Sequence, residues 1–167
     1  TFTAYTDGVN KRYGAEFIKP LREKQLNFVV AHENFHVMLK HITTWRVLWE
    51  KDKECANKAA DYVINLMIRN LDPDGKVVSV LDCALIDDMF LGWDTSRVFD
   101  YLYREKQKRG GGGGGENRPD SFDEHGWEQA KELSKQEVTD LENAIDEAVR
   151  QGGILASKKG NANAKQL

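Results

Sequence analysis

The chain has 167 residues, 40% of them apolar, enough for one hydrophobic core and one domain with a flexible appendage. A formal charge of -3 and a pI near 5.8 leave no basic footprint for nucleic acid, and no apolar run is long enough to span a bilayer. Two cysteines without a C-x-x-C pair, and no secretory signal, point to a reducing, cytoplasmic (intracellular) setting; a leader ahead of Thr1 would lie outside these residues.

Residues 2–6 and 11–13 read as two short strands joined through Asp7-Gly8, a turn dipeptide, with a loop longer than the tightest hairpin. The hairpin is either a plain structural element or an exposed edge to which an extended peptide adds as a further strand. A short helix is expected near residues 15–19.

Residues 22–44 then read as one long helix containing His32-Glu33-Asn34-Phe35-His36, the pattern H-E-x-x-H. Helical residues four apart lie on one face, so the two imidazoles can reach one metal ion together. Glu33 is turned by about 100° from His32, which sets its carboxylate beside the metal, where a general base for a water belongs. The alternative is a helix whose histidines are merely packed or solvated. The preceding apolar run Phe28-Val29-Val30-Ala31 argues for burial, and buried histidines and glutamates need partners. His41, about 900° of helical rotation after His32, falls on the opposite face and is expected to be structural. The metzincin pattern places its last His one position later, after a turn. Trp45 and Trp49 are expected core anchors.

A catalytic zinc site needs a third protein ligand and one open position. The next helix, expected over residues 53–69 with Asp52 as its N-cap, carries Asn57, Asp61 and Asn65 every four residues, beside an apolar stripe of Ala56, Ala60, Val63 and Met67. Packed antiparallel to the first helix, it would present Asp61 to the metal while Asn57 and Asn65 hydrogen-bond around it. Glu54 is the reserve ligand, and a solvated polar face is the alternative.

Asp72-Pro73-Asp74-Gly75 is a strong turn signal, and residues 76–80 are expected to form one more short strand. After an irregular segment at 87–94, Asp94 or Thr95 caps a helix running to residue 108, with Val98, Phe99 and Leu102 on its buried face. The basic run 104–109 suits the negative end of that helix. Gly110 to Gly115 form a flexible loop, either a mere spacer or a flap. As a flap it would return Asp123-Glu124-His125-Gly126-Trp127 to the cleft. His125 would there donate to an oxyanion or close the metal site as a fourth ligand; otherwise it is simply exposed. A last, highly charged helix over residues 129–151 ends at Gly152-Gly153, and the polar tail that follows is expected to be disordered.

Taken together, these elements predict an α+β chain that is mainly α-helical. The expected organisation is a core over 1–109, a Gly-rich loop over 110–119, a completing motif and helix over 120–155, and a tail over 156–167.

Several runs carry a resemblance in order along the chain: Tyr5-Thr-Asp-Gly8, Ala15-Glu-Phe17, Phe28 to His36 with His41, and Ala59-Ala-Asp-Tyr-Val-Ile-Asn65. It continues through Gly92-Trp93 and Thr95 to Asp123-Glu-His125 and Trp127. In these the chain resembles the metallopeptidase family often joined to a von Willebrand A-like module. The resemblance implies a zincin-like domain with its hairpin beside the active-site helix, Zn2+ bound at His32, His36 and Asp61, and Glu33 as base. It departs in three places. The family carries a helical segment ahead of the Thr-Asp-Gly motif, so a chain starting at Thr1 reads as trimmed; Cys55 stands where Trp is common; and no von Willebrand-type half lies within these residues.

The function expected is zinc-dependent hydrolysis of a protein or peptide substrate, with no nucleic-acid or membrane partner and with the oligomeric state open. The alternative is a catalytically inactive or latent, zinc-stabilised protein-binding module, of phage or mobile-element origin. A peptidase acting on DNA-bound proteins is disfavoured by the acidic balance.

Overall fold

A computed structural model describes residues 3–8, 10–108, 123–125 and 133–158. The elements are β1 (Ala4–Thr6), β2 (Lys11–Tyr13), α1 (Ala15–Ile18), α2 (Glu23–Met38), α3 (His41–Thr44), α4 (Arg46–Lys51) and α5 (Lys53–Leu71). A 3-10 turn (Asp88–Phe90), α6 (Thr95–Lys108), β3 (Asp123–His125) and α7 (Lys135–Lys158) follow. The chain is α+β and mainly helical.

The hairpin forms as its sequence predicts, with Ala4 opposite Tyr13 and Thr6 opposite Lys11. Asp7 closes its loop by accepting the Asn10 backbone N–H at 2.6 Å, and Gly8 takes a positive φ of 88° that an L side chain adopts rarely. β3 pairs parallel to β1 on the other side, giving the order β2-β1-β3, with Thr6 opposite His125. β1 is therefore the central strand. β3 covers the side of β1 away from β2, so among the described residues the hairpin's outer edge is that of β2.

Helix α5 is the central helix. Asp52 caps it by accepting the Cys55 N–H at 3.0 Å. One side joins Trp49, Phe90, Val98 and Phe99 in a core through Tyr62 and Leu66; the other joins Ala4, Phe28, Val29 and Leu81 through Ile64 and Ile68. A fully buried Phe or Ile contributes about 1.5–3 kcal/mol, so both seams of α5 are held firmly. Lys24 reaches the Gly75 carbonyl, His32 meets Asn65 and His36 meets Asp61. Rising numbers on α2 thus meet falling numbers on α5, which makes the two helices antiparallel.

Three expectations are corrected. The motif helix does not run to Thr44: α2 ends at Met38, and Lys40 takes a left-handed φ of 54° before α3 begins. No glycine marks this break. Residues 76–80 form no strand; the Asp72 carboxylate accepts the N–H groups of Lys76, Val77 and Val78, and the Ser79 N–H donates to the Lys24 carbonyl instead of a strand partner. Finally, α7 begins at Lys135 and passes through Gly152-Gly153 to Lys158, which includes the first residues of the expected tail. Two mid-helix glycines cost about 1 kcal/mol each, less than is needed to stop a long helix when neither a left-handed cap nor a proline follows. The glycine run 110–115 and the expected disorder of the remaining tail lie outside the described residues.

Candidate metal centre

The site lies on the seam between α2 and α5. Helical spacing stacks His32 and His36, with ring centroids 4.6 Å apart and their Nε2 atoms 2.9 Å apart. Asp61, one turn before Asn65 on α5, brings its Oδ1 to 3.3 Å from His36 Nε2 and 3.7 Å from His32 Nε2. Among the described residues this is the group of His, Cys, Asp and Glu side chains arranged to hold a metal ion.

The geometry passes a simple test of fit. Bonds of about 2.0–2.1 Å in a tetrahedral zinc site place ligand atoms roughly 3.3 Å from one another. Of the three edges here, 3.3 Å matches that value and 2.9 and 3.7 Å lie on either side of it. Two imidazoles and a carboxylate are also the donor set that suits zinc.

Each histidine is oriented from behind. His32 Nδ1 lies 2.8 Å from Asn65 Oδ1, and Asn65 Nδ2 donates to the Leu85 carbonyl at 3.0 Å. The amide oxygen only accepts, so His32 carries its proton on Nδ1 and turns a lone pair on Nε2 toward Asp61. His36 Nδ1 lies 3.1 Å from His41 Nδ1, and His41 Nε2 lies 3.2 Å from Thr95 Oγ1. The placement of His41 on an opposite helix face is corrected here. The left-handed Lys40 ends α2 and swings α3 back, so His41 is buried beside His36.

Asp61 and Asn65 are 1% and 0% exposed, which overturns a solvated polar face on α5. Asn57 is half-buried one turn earlier. Glu54 is not near the group; it is exposed and pairs with Lys58 and Lys106, whose ammonium groups hold its carboxyl below the usual range. Glu33 is fully buried, and the Tyr13 phenol is pushed up by burial and then by the Glu33 charge. Tyr13 escaped the sequence reading, since a tyrosine in a short strand carries no distinguishing pattern. His125 enters through β3, opposite Thr6; its side chain lies outside the described residues.

His32, Glu33, His36 and Asp61 are all at most 1% exposed, so the group is closed to solvent in this conformation. A cavity of about 490 Å³ lined by Trp45, Phe90 and Trp93 reaches His41 and Thr95 but none of these four residues. It backs onto the site and does not open it.

Residues 1–163 match the family described as "Putative metallopeptidase domain". No curated protein and no solved structure matches the chain.

Proposed function

The chain belongs to this metallopeptidase domain family, and we propose that it is a zinc-dependent peptidase cleaving a protein or peptide substrate within a zincin-like fold. The observation that carries the reading is the meeting of His32, His36 and Asp61 within 4.8 Å, with Glu33 next to His32 on the same helix. His32, His36 and Asp61 would hold the ion. Zinc, when bound, supplies a Lewis acid that acidifies water and polarises a carbonyl. Glu33 accepts the proton of the attacking water and returns it to the leaving amine. The Asn65 contact keeps His32 in the tautomer that leaves Nε2 available. His125, brought alongside β1 by β3, would donate to the developing oxyanion or serve as a fourth ligand. The two free thiols, Cys55 and Cys83, fit an intracellular protein.

A second reading draws on the burial of all four side chains: a latent or purely zinc-stabilised binding module. A structural site has no use for a base, and Glu33 weighs against it. The deciding measurement is metal content by mass spectrometry beside cleavage of an unstructured protein. Glu33→Gln is expected to retain zinc and lose hydrolysis, and His36→Ala to lose both. Full activity in a folded Glu33→Gln protein would refute the assignment, and a zinc-loaded wild type that cleaves nothing would favour the binding module.

A further inference from the structure

We propose that His41 is a positioning residue that holds the metal-facing tautomer of His36 through a relay ending at Thr95; this rests on the zinc reading above. A metal ion taken by His36 Nε2, 3.3 Å from Asp61 Oδ1, would leave the ring proton on Nδ1, donated to His41 Nδ1 at 3.1 Å. His41 then carries its own proton on Nε2, 3.2 Å from Thr95 Oγ1, which accepts it. With Nε2 of His36 given to the ion, this assignment leaves each of the two remaining contacts with one donor and one acceptor. The imidazole of His41 and the hydroxyl-bearing Thr95 are 1% and 4% exposed, at the edge of the cavity lined by Trp45, Phe90 and Trp93.

The backbone adds an independent sign. A helix running on past Met38 would carry His41 away from His36. The chain instead places Lys40, a non-glycine residue, at a left-handed φ of 54°, a conformation costing roughly 1–2 kcal/mol. The strain aims His41 at the site, and strained backbone of this kind clusters where a side chain must be held for function. The relay also ties a ligand on α2 to the first residue of α6, an element that supplies no ligand among the described residues.

Zinc affinity of the full chain, read by competition with a chromophoric chelator and by the visible spectrum of the Co2+ form, tests this. In His41→Asn the amide oxygen takes the place of Nδ1, whereas in His41→Gln the amide lies where Nε2 stood; His41→Phe fills the space with neither. Zinc binding is expected to weaken by about tenfold to a hundredfold in His41→Phe and His41→Gln, and to stay within about threefold of wild type in His41→Asn. The Co2+ spectrum should shift in the same two variants and hold in the third. Should His41→Phe not fold, the order of Asn over Gln still decides. Equal affinity in all folded variants, or Asn no better than Gln, overturns the relay while leaving the peptidase reading standing. A wild type that takes up no zinc or Co2+ overturns the peptidase reading itself, and the relay with it.

Discussion

Asp61 Oδ1 lies 3.3 Å from His36 Nε2, although the two residues belong to helices running in opposite directions. Asp61 is thereby the contribution of α5 to a group otherwise built on α2. With zinc at a hundredfold excess over its dissociation constant, wild-type protein should gain about 2.7 kcal/mol of stability. Asp61→Ala at the same zinc concentration should gain almost none. Urea unfolding with and without zinc measures both, and equal stabilisation of the two proteins would remove Asp61 from the metal.

Asn65 is both the orienting partner of His32 and the donor to the Leu85 carbonyl. Asn65→Leu should weaken zinc binding by about tenfold to a hundredfold. The apo protein should also lose roughly 1–3 kcal/mol, because the Leu85 carbonyl loses its donor. Chelator competition and urea unfolding separate the two effects, and unchanged affinity would exclude Asn65 from the site.

Asp52 supports α5 away from the metal. Burial raises its carboxyl, but the Lys106 ammonium and the Cys55 N–H outweigh it, and its pKa falls below the ordinary 3.8. A lowered acid contributes stability that is fully present above the unfolded value and disappears as pH drops through the folded one. At pH 7, Asp52→Ala should cost about 1–2 kcal/mol, mostly the lost cap, since the Lys106 pair is partly exposed. The deficit should shrink as pH falls below 3.8. A deficit as large at pH 2 as at pH 7 would contradict the ionised cap.

The two thiols should differ sharply. Cys55 is 5% exposed, and burial followed by the Asp52 charge pushes its thiol up to about 12. Cys83 is exposed, with its thiol raised more modestly by desolvation. Thiol labelling at pH 8 is expected to modify Cys83 alone in native protein, and both in denaturant. Rapid native labelling of Cys55 would contradict the packing of α5 against α4 and α6.

Much of the scaffold was legible because its signals are local. The hairpin announced itself through Asp7-Gly8, α5 through Asp52, and α6 through Asp94, whose carboxylate accepts the Arg97 N–H at 2.8 Å. What failed was termination without a marker. Lys40 breaks α2 with neither glycine nor proline, so the sequence extends that helix to Thr44 and sends His41 the wrong way. Gly152-Gly153 is the converse, a stop signal inside a continuous helix. The motif also erases the amphipathic pattern of α2, because its buried face carries His32, Glu33 and His36 among Phe28, Val29 and Phe35.

Helical spacing alone determined that His32 and His36 share a face with Glu33 beside them, since an α-helix relates residues four apart whatever surrounds it. It also put Asp61 and Asn65 on one stripe of a second helix. Only the tertiary structure decided that this stripe is buried against α2, that Glu54 faces solvent, and that His41 backs His36. Those outcomes depend on how helices pack and where the backbone bends, which are set by contacts between residues far apart in the chain and not by the spacing within any one segment.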